Sequence, residues 1–242
     1  ARGIPHTFDL SDPANTAVLV IGGTRLLGRL WQARHRGARI VQRLNGMNWM
    51  HKLTPMPIKA ALRAEANNRI LAFIRRSLAD RIVYQSEFSR EWWDRVYGPR
   101  PIPSQVTYNA VDLDTYSPNS DGNPPEDKYR ILLVEGRLTG SYTRGLTTAV
   151  QLAEAVRKQQ DRHVELMVVG DVTKDIQQRA QELAPALPIV WQGIVPREAI
   201  PVIDRSAHVL FSADLNAACP NSVIEALACG LPVVSYDTGA LA

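Results

Sequence analysis

The chemistry in this chain gathers around one glutamate and two arginines. Glu225 is the only charged residue in Cys219-Pro-Asn-Ser-Val-Ile-Glu-Ala-Leu-Ala-Cys-Gly-Leu-Pro-Val-Val234, a stretch that reads as a turn, a short buried helix and a buried strand. Gly230 and Pro232 stop the helix, and Pro-Val-Val restarts a strand. A helix that follows a strand in a doubly wound sheet presents free N–H groups and a positive dipole end, which suit a phosphate. Glu225, one turn inside that helix, can accept a hydrogen bond from a sugar hydroxyl beside the phosphate. A nucleotide fits such an arrangement. The same letters, Ser222-x-x-Glu225, also read as a capping box that satisfies only the helix's own donors. Local sequence leaves these two readings level. Arg137 and Arg144 fall in a second strand-to-helix loop, where they serve either as phosphate clamps or as surface ion-pair residues.

Composition bounds what can surround these groups. The chain has 242 residues, 45% of them hydrophobic, enough for one large core or two modest ones. The longest apolar run, Ala17–Ile21 with its flanking glycines, is too short to span a bilayer. Two cysteines ten residues apart around one short helix are poorly placed to bridge and too few for a metal cage. A cytoplasmic setting is the expectation. The first residue is Ala, so the chain reads as a fragment.

Charge is unevenly spread. Residues 1–110 carry 17 basic against 7 acidic side chains, and residues 111–242 carry 11 against 17. The asymmetry predicts two domains with different partners. A linker is expected at 118–128, inside Ser117-Pro-Asn-Ser-Asp-Gly-Asn-Pro-Pro-Glu-Asp-Lys128, which holds no apolar residue. The predicted domains are therefore 1–117 and 129–242. The basic half carries no nucleic-acid module signature, so no nucleic-acid partner is expected.

Strands are predicted at 17–21, 38–42, 81–84 and 105–108 before the linker, and at 130–135, 164–170, 189–192, 208–212 and 232–236 after it. Helices are predicted at 57–78 and 90–97, then at 145–160, 173–184, 197–204 and 223–229. This alternation predicts two Rossmann-like domains with parallel sheets and a cleft between them. Val20-Ile-Gly-Gly-Thr-Arg-Leu-Leu-Gly28 imitates a dinucleotide fingerprint, but Arg25 occupies its small central position. No acidic residue stands where a ribose would need one, so a tight strand-to-helix turn is expected there.

Further segments complete a pattern. They are Ile131-Leu-Leu-Val-Glu-Gly-Arg137, Thr143-Arg-Gly-Leu-Thr-Thr-Ala149, Leu166-Met-Val-Val-Gly-Asp171, Val190-Trp-Gln-Gly-Ile-Val195, Tyr84-Gln-Ser-Glu-Phe-Ser89 and Tyr108-Asn-Ala-Val-Asp112. With the segment around Glu225, they resemble glycosyltransferase family 4 from about residue 80 onward. The resemblance implies an α/β architecture of the GT-B type, with two facing Rossmann-like domains and an interdomain cleft. It implies a retaining, metal-independent glycosyltransferase that takes a UDP-, GDP- or ADP-sugar as substrate and needs no cofactor. By position, Gly136 and Arg137 would contact the diphosphate and Arg144 would be its second clamp. The backbone at Asn221, Ser222 and Val223 would complete the phosphate site, Glu225 would hold the ribose, and Gly170 and Ile194 would line the donor. Arg137, Arg144 and Glu225 would carry the chemistry.

Three departures imply a different donor sugar or reduced activity. Ala217 stands eight residues before Glu225, where the family often has an acid for the transferred sugar; Asp214 would need a shifted loop to replace it. Ala110 stands where the family has glycine, and the loop between the arginines is long. A nucleotide-sugar-binding protein without catalysis, or a nucleotide-sugar epimerase, are the alternatives.

The acceptor is expected to be a glycan or lipid-linked molecule, with His51 and Asn45 as candidates near the reacting sugar. The 57–78 segment sets Lys59, Arg63, Arg69, Arg75 and Arg76 beside Ile58, Leu62, Ile70, Phe73 and Ile74. A solvated basic face over a core stripe is expected there. The alternative is peripheral contact with an anionic membrane at its inner face.

Overall fold

The computed structural model describes residues 3, 5–53, 55–119, 121–138, 143–160 and 163–242. Most of the loop between Arg137 and Arg144, and Ser120 of the expected linker, lie outside them. The chain divides into two compact units, Ala1–Tyr108 and Asn109–Ala242.

The first unit is built on a parallel sheet of four strands: β1 (Ala17–Ile21), β2 (Arg39–Leu44), β3 (Arg81–Tyr84) and β4 (Ser104–Val106), adjacent in chain order. Its helices are α1 (Leu27–His35), the short α2 (Met50–Leu53), α3 (Ile58–Phe73) and α4 (Glu87–Tyr97). When right-handed crossovers all advance the same way, every helix lands on the same face. Burial agrees. Val18, Val20 and Ile40 pack with Leu30 and Ala33 of α1, and Ile82 and Tyr84 pack with Trp92 and Trp93 of α4. The opposite face leaves Leu19 at 60% and Ile21 at 64% exposure. Gly22, at φ 67°, makes the expected tight turn after β1. Ser86 caps α4 by accepting a hydrogen bond from the Ser89 N–H at 3.1 Å.

The 57–78 segment departs from its expected pattern. After Phe73 the helix widens into a π-helical turn, Ile74–Leu78. One extra residue per turn shifts the phase of every side chain beyond it. Arg75, expected on a solvated face, is thereby carried inward to 1% exposure, where it donates to the Tyr84 hydroxyl, the Gly98 carbonyl and the Asp94 carboxylate. The expected core stripe is equally incomplete. Ile74 is buried and Ile70 partly so, whereas Ile58, Leu62 and Phe73 are exposed. Among the described residues, no helix is long and apolar enough to cross a membrane.

The second unit is a parallel five-stranded sheet: β5 (Tyr129–Arg137), β6 (Val164–Asp171), β7 (Ile189–Gly193), β8 (Val209–Ser212) and β9 (Val233–Ser235). Their order is β7-β6-β5-β8-β9, so the chain winds outward from β5 in one direction and then in the other. Helices therefore cover both faces. Helices α5 (Thr143–Gln160) and α6 (Lys174–Leu183) pack on Ile131, Leu133, Leu166 and Val168; α7 (Ile200–Arg205) and α8 (Asn221–Ala228) pack on Leu132, Met167, Val169 and Leu210. Two covered faces require the continuous apolar runs seen in β5 and β6.

The division after Tyr108 differs from the expected boundary at 117 and linker at 118–128. The segment after Tyr108 is bound to the second unit. Tyr116 is buried, and Arg205 donates to the carbonyls of Asp121 at 2.7 Å and Ser117 at 2.9 Å. Turn-forming composition marked a change of direction; it carried no information about what the turns lie against.

Candidate functional site

The strand order fixes where the second unit can bind a ligand. Neighbours β5 and β8 are left by connections running in opposite directions, so a crevice opens beyond their carboxyl ends. The β5 end supplies Glu135, Gly136 and Arg137, and α5 begins with Thr143 and Arg144. The β8 end supplies Ala213 to Pro220 and then the first turn of α8.

Helix α8 begins earlier than the capping-box reading requires. Its N-cap is Pro220, and no side chain caps it. Ser222 is inside the first turn, so the capping box is not formed. The first-turn N–H groups of Asn221, Ser222 and Val223 remain available for an anion. Val223 anchors this turn by packing its side chain with Ala226 and Leu231. Asn109 holds the approach: its side-chain amide donates to the Cys219 carbonyl at 2.9 Å and to Asn221 Oδ1 at 2.7 Å.

Arg137 Nε lies 3.3 Å from Asp171 Oδ2, and the arginine is 73% exposed. Exposed pairs of this kind contribute roughly 0–1 kcal/mol, so a phosphate can displace the carboxylate. Arg144 is exposed in the first turn of α5 and forms no ion pair among the described residues. Gly136 is exposed with open space around its α-carbon. Gly170, at φ 140°, lies under the Glu135 carbonyl, so its part is to let the end of β6 approach the end of β5. Ile194 is exposed just after β7. Gly145 similarly allows α5 to approach the β8 loop, because an added Cβ would stand 2.7 Å from that of Ala213.

Glu225 is nearly enclosed, at 12% side-chain exposure, with Arg197 Nη2 3.9 Å from its Oε1. Burial pushes its carboxyl above the usual carboxylate range, and Arg197 partly opposes the shift. Ala217 is buried; its carbonyl accepts from the Ala240 N–H at 2.8 Å, and its backbone leaves room only for a glycine at 239.

Glu135 has no role in the sequence pattern and gains one only from its surroundings. Burial first, then the charge of Asp214, pushes its carboxyl up to about 7; burial also raises Asp214. An acid directly after the apolar run Ile131–Val134 of the central strand was the available signal. Tyr116, Arg197 and Asp204, which surround Glu225, had no local signal at all. In the first unit, His51 is a buried side chain whose Nε2 lies 3.6 Å from Glu65 Oε1 on α3. The Asn45 carbonyl accepts from Ser89 and from the Trp93 indole, which ties β2 to α4. Among the described residues, no three His, Cys, Asp or Glu side chains gather as a metal site would require.

Comparison with solved structures shows the class of fold. Sucrose-phosphate synthase from Thermosynechococcus elongatus superposes with a TM-score of 0.74 at 19% identity, covering 93% of this chain and 57% of that one. An α,α-trehalose-phosphate synthase (UDP-forming) from Burkholderia xenovorans, in complex with glucose-6-phosphate, gives 0.65 at 16%, with 94% and 60% covered. A TarM variant from S. aureus, in complex with fondaparinux, α-GlcNAc-glycerol and UDP, gives 0.64 at 14%, with 91% and 41% covered. The fold is that of the GT-B glycosyltransferases. This chain spans less than two thirds of the length of each of these proteins. Residues 129–242 match the family described as glycosyl transferases group 1. No curated protein matches the sequence.

Proposed function

We propose that the chain carries the donor site of a retaining, metal-independent glycosyltransferase that moves a sugar from a nucleoside diphosphate to a glycan or lipid-linked hydroxyl. The observation that carries this reading is the uncapped first turn of α8 at the switch point, with Arg137 on the neighbouring strand. A departing nucleoside diphosphate gains negative charge as its glycosidic bond breaks. Fixed donors aimed at that charge act most strongly in the transition state. Arg137, Arg144 and the N–H groups of Asn221, Ser222 and Val223 are assigned to the diphosphate, and Glu225 to the ribose hydroxyls. Gly136, Gly170 and Ile194 line the donor. Ala217 offers no acid for the transferred sugar, so two other carboxyls beyond the strand ends, Glu135 and, with a shift of its loop, Asp214, are assigned to its hydroxyls. His51 stays a proposal for the acceptor side.

UDP leads the candidates because UDP, or UDP-forming activity, is named for two of the similar structures. Titration calorimetry with UDP, GDP and ADP tests the reading. One nucleotide is expected to bind, and Arg137→Ala and Glu225→Ala are each expected to weaken it by about 10- to 100-fold, the loss of one charge-assisted contact. A folded chain that binds none of the three would refute the donor site. Ala217 also motivates a second reading, a nucleotide-sugar-binding protein without catalysis. Release of nucleoside diphosphate from the matching nucleotide sugar excludes that reading, and binding with neither transfer nor hydrolysis establishes it.

A further inference from the structure

Glu225 is surrounded by groups from three other segments. Tyr116 comes from the stretch before β5, Arg197 from the 3₁₀ turn before α7, and Asp204 and Arg205 from α7 itself; Cys229 closes the set from the end of α8. Tyr116 is the unusual member. Its side chain is buried, yet its hydroxyl has no hydrogen bond of ordinary geometry. It nevertheless stands close enough to Glu225 and Arg197 to affect the ionisation of both. A buried hydroxyl without a partner destabilises the fold that holds it. Phenylalanine would fill the same volume without that cost, so the hydroxyl belongs to a state in which it has a partner.

Arg197 indicates which state that is. Its guanidinium is exposed and meets Glu225 only at the outer limit of an ion pair. Pairing at that distance is weak, and an incoming ligand can release the carboxylate from it. Ionised Glu225 accepts at two oxygens, with room for about four donors. Two ribose hydroxyls fill half of that capacity. They do not by themselves fix the carboxylate's rotation.

We propose that Tyr116 is a positioning residue for Glu225, its hydroxyl donating to the carboxylate when Glu225 turns from Arg197 to receive the two hydroxyls of a nucleotide ribose. The inference rests on the donor-site reading and deepens it at the ribose end. Tyr116 then sets the direction from which Glu225 meets the ribose, and Arg197 guards the carboxylate while the site is empty. The surrounding charges favour this arrangement. Burial pushes the Asp204 carboxyl up to about 7, so near neutral pH it holds its proton for part of the time and repels Glu225 less.

Tyr116→Phe tests the proposal, because it deletes one oxygen and keeps the ring. Calorimetric affinities of wild type and variant are compared for UDP, GDP and ADP and for their 2′-deoxy counterparts. The ribonucleotide that binds wild type is expected to bind Tyr116→Phe about fivefold or more weakly, while the 2′-deoxy form loses less. The pH below which binding fails is expected to rise in the variant, because the Tyr116 hydroxyl favours ionised Glu225. Equal losses for ribo- and deoxynucleotides, or an unchanged affinity and pH profile, would overturn the proposal and leave the donor site standing. Failure of the folded wild type to bind any ribonucleotide would remove both. Carboxyl NMR titration supplies a readout without nucleotide. Glu225 is expected to titrate higher in Tyr116→Phe than in wild type, and an identical midpoint counts against the hydroxyl.

Discussion

Gly170→Ala is expected to lower the unfolding midpoint of the second unit by about 10 °C, or to prevent its folding. Gly170 combines φ 140°, a backbone region that side chains strain to adopt, with direct contact of any added Cβ on the Glu135 carbonyl oxygen. The strain costs roughly 1–3 kcal/mol. Overpacking adds about as much, because the atom in the way is backbone in a buried central strand. The sheet can relieve the collision only by separating the ends of β5 and β6. That movement carries Gly136 and Arg137 away from α8, so nucleotide binding should fall even in molecules that still fold. Thermal unfolding followed by circular dichroism reads the first effect. A midpoint within about 2 °C of wild type would show that β6 accommodates the methyl group without displacing β5.

Asp204→Asn is expected to stabilise the protein at alkaline pH. Asp204 is 1% exposed, and neither of its carboxylate oxygens has a hydrogen-bond partner. Burial, then the charge of Glu225, raises its carboxyl to about 7, and Arg205 only partly compensates. The folded state therefore keeps this proton over a pH range in which the unfolded chain has released it. Stability falls as pH rises from about 4 through 7, and the full penalty applies above 7. A displacement of about three units corresponds to roughly 4 kcal/mol, from which the unpaired amide of asparagine removes about half. Urea unfolding at pH 8 should show the variant more stable by about 2 kcal/mol, with the difference shrinking or reversing toward pH 5. Glu135, raised in the same direction, is present in both proteins and cancels in the comparison. A gap of equal size at both pH values would show that Asp204 does not titrate there.

How much of this was legible in the sequence depended on whether a signal was local. Strands β1 and β3 begin and end on the residues that the apolar runs mark, and the alternation of strands and helices gives the α/β class directly. Arg137, Arg144 and Asn221 to Glu225 stand out as candidates because they lie at a strand end or in the first turns of the helices that follow, where glycine and proline punctuate the chain. The phase of the 57–78 helix could not be read, because a π-helical turn leaves no mark in a 3.6-residue pattern. Helix α1 is expected after the turn that follows β1, but its bounds are not legible, since Arg29, Gln32, Arg34 and His35 blur its apolar side. The surroundings of Glu225 were out of reach for another reason. Tyr116, Arg197 and Asp204 are each unremarkable in their own segments and acquire meaning only when the sheet winds back on itself.

The outward winding from β5 also sets a timetable. In the second unit the strand made first lies at the centre of the sheet, and β6 and β7 extend one flank before β8 has left the ribosome. That half can settle early, because α5 and α6 cover a core that needs little from later residues. The crevice at that stage has one wall. Its second wall arrives with β8 and α8, so a nucleotide cannot template the early steps of assembly. It can only reward the last one, and ligand-dependent protection during refolding becomes a clock for the docking of α8.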